Sequence, residues 1–242
     1  MMYLNERIDD LQQGGLRVIQ RADAFRFGTD AVLLADFAAP RRHDRVCDLG
    51  TGTGIIPLLL YARENTISAD AVEIQPDMAD MAARSMAMNG LNEKIRVLPG
   101  DLRSIRTLLP HARYDLVTCN PPYGKAGGTL LNPDASKRLA RHEESCDIED
   151  VACAAAWLLQ NGGRLCCVFP AARMIELSDA MRKYRMAPKR IRMVHSRVEK
   201  AAHLCLMEGM LDARPGLIIE PPLVIYDENN AYTPELRRIY GL

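Results

Sequence analysis

From residue 45 onward the chain alternates short apolar runs with stretches whose apolar residues recur at helical spacing. Residues 45–49 read as a strand that runs into glycines, and 55–63 as a helix apolar nearly all round, hence buried. Residues 69–74 predict a second strand, 77–89 a helix with alanine and methionine on one face closed by Gly90, and 95–98 and 114–119 two further strands. A helix over 147–160, stopped by Gly162-Gly163, leads to a fifth strand over 164–169 and another helix over 172–184. This βαβα rhythm predicts an α/β fold, a mostly parallel sheet with helices on both faces. Residues 188–195 and 201–211 are two strands with no helix between them, which predicts an antiparallel hairpin at one edge and seven strands in all. The stretch 217–226 adds an edge element whose pairing Pro221 and Pro222 restrict. No internal repeat interrupts a single structural domain. The least regular segment, 124–145, reads as a lid or binding loop.

Two of the turns carry chemistry. The first strand ends in Asp48-Leu49-Gly50-Thr51-Gly52-Thr53-Gly54, and the fourth in Asn120-Pro121-Pro122-Tyr123. Both lie at predicted carboxyl ends of strands, where open α/β sheets bind ligands. Glycines between a strand and a helix let the backbone approach a ligand closely. A dinucleotide fingerprint reads G-x-G-x-x-G, whereas these glycines alternate; a NAD site remains a rival on this pattern alone. Glu73, 25 residues after Asp48 at the end of the second strand, is placed to accept both ribose hydroxyls of a nucleotide-like cofactor.

The second turn suits a planar NH2 group. The Asn120 side-chain oxygen and the Pro121 carbonyl both accept hydrogen bonds, and the two prolines hold the turn rigid. An adenine amino nitrogen is a poor nucleophile because its lone pair is delocalised into the ring. Two acceptors pull it toward a tetrahedral form. Tyr123 would stack on the base, a contact worth on the order of 1–3 kcal/mol.

Composition narrows the partners. The chain has 242 residues, 48% of them hydrophobic, enough for one large core. Lys and Arg number 31, as do Asp and Glu, so any nucleic-acid surface must be local. Two candidates are Lys125, Lys137, Arg138 and Arg141 in the long loop, and the stretch 182–200, where eight basic residues face only Glu199. Seven cysteines without a C-x-x-C predict reduced thiols in a cytoplasmic protein. No signal peptide and no apolar run of bilayer length are expected. The five histidines form no ligand spacing, so no catalytic metal is expected. The oligomeric state stays open between a monomer and a weak dimer.

The turn 48–54 resembles motif I of the S-adenosylmethionine-dependent methyltransferases, and Asn-Pro-Pro-Tyr resembles the signature of those that methylate amino groups. The phrase Phe27-Gly28-Thr29-Asp30-Ala31-Val32-Leu33-Leu34-Ala35, Lys125 after the tyrosine, and Arg141-His142-Glu143 are most similar to the bacterial tRNA1(Val) adenine-37 N6-methyltransferases. The likeness covers most of residues 15–235. It implies a Rossmann-like class I methyltransferase fold, S-adenosyl-L-methionine as cofactor and tRNA as partner. It implies that residues 1–40 cap the cofactor, with Phe27, Gly28, Thr29 and Asp30 near its methionine end, ahead of a methyltransferase domain at 41–242. Asp48 would receive the ammonium, and Gly50, Thr51, Gly52 and Gly54 would surround the amino-acid part. Glu73 and Ile74 would meet the ribose, Asp101 and Leu102 the adenine. Asn120, Pro121, Pro122 and Tyr123 would be catalytic, Asn120 also touching the cofactor, and Tyr123, Lys125, Arg141, Lys189 and Arg190 would hold the substrate.

The same NH2 geometry leaves two rivals, a protein glutamine N5-methyltransferase and a ribosomal RNA guanine N2-methyltransferase. The former usually carries an N-terminal helical recognition domain. A non-catalytic RNA- or cofactor-binding module is a third reading, against which the intact Asp48, Glu73 and Asn120 argue. With no length for a separate RNA-binding domain, RNA would be held by the catalytic domain, its target adenine unstacked or flipped toward Tyr123.

Overall fold

A computed structural model describes residue 3 and residues 5–22, 28–121 and 146–242. The chain opens with a hairpin, β1 (Glu6–Asp10) and β2 (Arg17–Arg21), then α1 (Thr29–Ala38). Next come β3 (Arg45–Leu49), α2 (Ile55–Arg63), β4 (Ser68–Glu73), α3 (Pro76–Met88) and β5 (Ile95–Pro99). A 3-10 turn, Leu102–Ser104, precedes α4 (Ile105–Leu108) and β6 (Tyr114–Cys119). After the long loop follow α5 (Ile148–Leu158), β7 (Leu159–Pro170), a second 3-10 turn (Ala171–Arg173), α6 (Met174–Lys183), β8 (Met186–His195) and β9 (Ala202–Leu211). Two dipeptide strands, β10 (Ile218–Ile219) and β11 (Leu223–Val224), and α7 (Pro234–Tyr240) complete the chain.

The main sheet has the order β10-β8-β9-β7-β6-β3-β4-β5, with β11 also pairing with β8. All its pairings are parallel except those of β9, which lies antiparallel between β7 and β8. The expected architecture is therefore present, edge hairpin included, but the count of seven strands needs correction. Seven strands, β3 to β9, have five or more residues, and β10 and β11 raise the total in the sheet to nine. Pro221 and Pro222 lie between the two short strands and supply no N–H, so pairing along β8 is broken into two dipeptides.

A second difference concerns the glycines at 162 and 163. They do not stop α5, which is capped reciprocally at its start by Asp147 and Asp150 and ends at Leu158. They belong to β7, where the register against β6 shifts after Tyr114. A Cβ on Gly163 would lie 2.9 Å from the Gln160 carbonyl oxygen and 3.0 Å from that of Tyr114, so the irregularity requires glycine there.

Helices cover both faces. One apolar cluster joins α1, α2 and α7 to Val46, Leu116, Cys166 and Val168, and includes Leu11 and Val18 of the hairpin region. The opposite cluster joins α5 and α6 to Cys47, Val117, Cys119, Cys167 and Phe169. Each strand thus sends alternate side chains to opposite cores. The hairpin β1–β2 packs on α3: Arg84 pairs with Glu6 at 2.5 Å, and Ser85 Oγ accepts from the Ile19 amide at 2.9 Å. No helix among the described residues is long and apolar enough to cross a membrane.

Sequence order explains where a ligand would sit. The chain builds β3, β4 and β5 outward in one direction, then returns to place β6 on the other side of β3. The crevice at the carboxyl ends of β3 and β6 is the topological switch point.

Candidate active site

The two singled-out turns leave the sheet side by side at that crevice. In register, Asp48 lies opposite Thr118 and Leu49 opposite Cys119, so Gly50 and Asn120 continue adjacent strands. On the other side Leu49 lies opposite Val72, which brings Glu73 to the same rim.

The glycine turn is held down by its backbone. The amides of Gly50 and Thr51 both donate to the Val72 carbonyl, at 2.9 and 3.0 Å. Gly50, Gly52 and Gly54 all have left-handed φ, at 70°, 58° and 82°, which disfavours any side chain. Their surroundings differ. A Cβ on Gly50 or Gly52 would meet nothing within 4 Å, whereas one on Gly54 would lie 2.5 Å from Met86 Cε and 3.2 Å from Ala82 Cβ. Gly54 thus seats α2 against α3, and the other two leave a bare backbone facing the crevice.

The acidic residues divide by their partners. Asp48 is fully buried; its Oδ1 accepts from Thr118 Oγ1 at 2.6 Å, while its Oδ2 has no hydrogen-bond partner among the described residues. Burial pushes its carboxyl up to about 7; the Thr118 and Thr51 hydroxyls oppose the shift and the negative charge of Glu73 adds to it. Thr51 Oγ1, beside the Asp48 carboxylate, is the other buried side-chain polar atom without a well-formed hydrogen bond among the described residues. Two neighbouring buried oxygens, neither in a well-formed hydrogen bond among the described residues, beside an open backbone cradle, suit a small zwitterion. Asp48 Oδ2 complements an ammonium, and the Thr51 hydroxyl complements a carboxylate. The residues present therefore fit the amino-acid end of S-adenosylmethionine.

Glu73 is buried and already accepts two backbone amides, Gly52 N at 2.8 Å on Oε2 and Gln75 N at 2.8 Å on Oε1. These bonds aim the carboxylate along the rim, and each oxygen retains a lone pair for a hydroxyl. Ile74 beside it is 42% exposed, an apolar patch suited to a sugar or base. Asp101 is differently placed. Its carboxylate accepts from the Arg103 backbone amide at 2.9 Å and pairs with the Arg103 guanidinium at 2.5 Å, which holds it below the usual carboxylate range. Leu102 packs partly against the core under α5.

Gly28 precedes α1 in extended conformation, and Thr29 Oγ1 accepts from the Tyr240 hydroxyl at 3.1 Å. Asp30 lies in the first turn of α1, near His203, whose imidazole is lowered by burial against the opposing influence of that charge. Asn120 is half-buried and Pro121 buried. Phe27, Pro122, Tyr123, Lys125 and Arg141 lie outside the described residues, as does the expected loop 124–145.

The basic stretch 182–200 is mostly paired. Lys183 bonds Glu149, Arg185 bonds Asp212, and Arg192 makes two 2.8 Å bonds to Glu235. Arg190 bridges Glu208 at 3.0 Å and Glu220 at 2.8 Å, with its guanidinium 4.4 Å from the Phe37 ring centroid. Lys189 Nζ donates to the Arg214 carbonyl at 3.3 Å. On β8, Arg190 lies level with Thr118, three strands from β6, or about 14 Å across the sheet.

Two functional features escape a reading by motif. Thr118 is a polar residue inside an apolar strand, two positions before Asn120, and that pattern was its available signal. The ladder Tyr226–Tyr232–Tyr240, with ring centroids 5.5 and 5.7 Å apart, buttresses the start of α1 from the far end of the chain. No local sequence signal marks it.

Comparisons with known proteins agree with this geometry. The methyltransferase small domain family matches residues 22–190. A tRNA1(Val) (adenine(37)-N6)-methyltransferase of Porphyromonas gingivalis is 32% identical over 91% of this chain and 89% of its own length. One from Tolumonas auensis is 35% identical over 88% and 86%. Among solved structures, a predicted O-methyltransferase from Agrobacterium tumefaciens superposes with a TM-score of 0.73 at 24% identity, covering 88% of this chain and 95% of that one. A geranyl diphosphate C-methyltransferase from Streptomyces coelicolor, solved with S-adenosyl-L-homocysteine, gives 0.55 at 14% identity, over 74% and 78%. At such identities these structures attest the fold alone, and they differ in the atom methylated. From the sequence match and the paired turns at the switch point, the chain belongs to the methyltransferase small domain family.

Proposed function

We propose that the protein uses S-adenosyl-L-methionine to methylate the N6 amino group of an adenine in tRNA, at the position named for its relatives, adenine 37 beside the anticodon. The observation that carries the reading is the adjacency of Asn120 to the glycine turn across the switch point. When bound, S-adenosylmethionine supplies an activated methyl group on a sulfonium.

The chain's own residues do the rest. Asp48 Oδ2 would hold the ammonium, Thr51 the carboxylate and Glu73 the ribose hydroxyls of the cofactor, at the rim where the Asn120 turn also emerges. Asn120 Oδ1 and the Pro121 carbonyl accept the two amino hydrogens of the base, which orients the nitrogen lone pair toward the methyl carbon. Tyr123 stacks on the base, and Phe27 to Asp30 cap the methionine end. Lys125 and Arg141 hold the RNA with Lys189. Arg190 is committed to Glu208, Glu220 and Phe37, so its contribution to RNA is to keep β8 in place. The cytoplasm, where tRNA is modified in bacteria, is the compartment this reading requires.

The test supplies purified protein and methyl-labelled cofactor with bulk tRNA, ribosomal RNA and cell protein separately, the RNA taken from a strain lacking this enzyme. Label recovered from tRNA as N6-methyladenosine is the expected result. Label confined to protein glutamine or to ribosomal RNA guanine would replace the acceptor and overturn the tRNA reading.

A further inference from the structure

We infer that Thr118 is a positioning residue that orients the Asp48 carboxylate for the cofactor's ammonium and ties it to the strand bearing Asn120. The inference rests on the reading of S-adenosylmethionine as cofactor and deepens it. Thr118 sits fully buried between Val117 and Cys119, where valine would fill the same volume without a hydroxyl to satisfy. Its hydroxyl donates to Asp48 Oδ1 at 2.6 Å. The two residues lie opposite one another on β6 and β3, so the bond bridges the switch point one pleat below Gly50 and Asn120. Directly opposite residues on neighbouring strands face the same side of the sheet, so the Thr118 and Asp48 side chains meet on one face.

The consequence is geometric. With Oδ1 held by Thr118, the carboxylate cannot turn without breaking a buried hydrogen bond. The remaining oxygen, Oδ2, is then the one presented without a partner among the described residues. An ammonium bound there is placed relative to β6, and hence to the turn that holds the acceptor amine. Loss of the hydroxyl should therefore matter only for ligands that carry the ammonium.

That selectivity separates positioning from mere packing. S-adenosylhomocysteine carries the amino-acid end; methylthioadenosine has the same nucleoside and thioether without it. Binding of both is measured by calorimetry at pH 7.5 to the wild type, Thr118→Val, Thr118→Ala and Thr118→Ser. Thr118→Val and Thr118→Ala should each weaken S-adenosylhomocysteine about tenfold and leave methylthioadenosine within about twofold. Thr118→Ser should recover most of the loss. Thr118→Val should also move the pH midpoint of S-adenosylhomocysteine binding upward. An equal loss for both ligands, or undiminished S-adenosylhomocysteine binding in Thr118→Val, would overturn the inference. A wild type that binds neither ligand would instead overturn the cofactor reading, and this inference with it.

Discussion

Replacing Asp48 by asparagine should weaken ligand binding and, at neutral pH and above, stabilise the protein. The Asp48 carboxyl is fully buried and pushed from 3.8 to about 7, chiefly by burial. A group whose folded pKa is raised contributes no penalty below its unfolded value. The penalty grows as pH rises and is complete above the folded value. The gap between 3.8 and about 7 corresponds to about 4 kcal/mol at pH 8, to order of magnitude. Asparagine carries no charge, but its amide donors would face the place where Oδ2 lacks a partner, at a cost of about 1–3 kcal/mol. The net gain is then about 2 kcal/mol at pH 8, or about 5 °C in Tm for a domain of this size. At pH 4.5 only about 1 kcal/mol of the charge penalty remains, no more than the cost of the unpartnered amide, and Asp48→Asn should be no more stable than the wild type. Thermal unfolding of both proteins, without ligand, at the two pH values reads this difference directly. Equal destabilisation at both would show that Asp48 carries no ionisation penalty and would refute the reasoning.

Binding should show the same group from the other side. An ammonium selects the ionised carboxylate, so wild-type affinity for S-adenosylhomocysteine should be level above pH 8 and fall about tenfold by pH 6, where about one Asp48 in ten is ionised. Calorimetry at pH 6 in two buffers of different ionisation heat should show about one proton released per ligand bound, and none at pH 8.5. Asp48→Asn should bind weakly with no such dependence. A wild-type affinity constant from pH 6 to 8 would sink the assignment of Asp48 to the ammonium.

Three further outcomes follow from the geometry. Asn120→Ala should reduce methyl transfer about 100- to 1,000-fold, on the order seen when a preorganised polar group is removed. It should leave S-adenosylhomocysteine affinity within about threefold, and surviving transfer would remove Asn120 from the chemistry. Gly54→Ala should lower stability in urea by about 2 kcal/mol, because its Cβ would meet Met86 Cε at 2.5 Å in a left-handed backbone; unchanged unfolding would mean that α3 yields without cost. Arg164→Ala should destabilise by about 3 kcal/mol, since Arg164 is buried and bonds Asp44, Glu208 and the Ala38 carbonyl. The folded fraction of Arg164→Ala should still bind S-adenosylhomocysteine as the wild type does; lost binding by folded protein would place this ion network in the site.

What was legible in the chain, and what was not, divides by the range of the forces involved. The strands and helices from β3 to β9, apart from the single turn of α4 and the 3-10 turn before it, follow from apolar periodicity, which is local. The glycine turn is legible for the same reason: three left-handed positions in a row of five residues admit almost nothing but glycine. Asn120 is legible because prolines after a buried strand mark its end. The roles of partners distant in sequence are not legible in this way. The basic stretch 182–200 looks like a phosphate track until Glu149, Asp212, Glu220 and Glu235 arrive from other elements to pair with it. Arg192 and Glu235 are 43 residues apart, and nothing near either one announces the other. A glycine pair after a helical pattern, as at Gly162 and Gly163, has two physical explanations, a helix stop and a strand irregularity. Only the register between β6 and β7 distinguishes them.

Thr118 shows where these two ranges meet. Its polarity within an apolar strand is a local anomaly, visible in the sequence, but its meaning lies 70 residues away in Asp48. Burial of a lone hydroxyl is unfavourable unless it is bonded, and burial of a lone carboxylate is more so. Each residue by itself is a poor choice for the centre of a sheet, and together they leave one oxygen satisfied and one presented. A core that only had to be stable would place valine at 118 and an apolar residue at 48, so the two polar residues together are what the proposed ammonium site at the switch point requires.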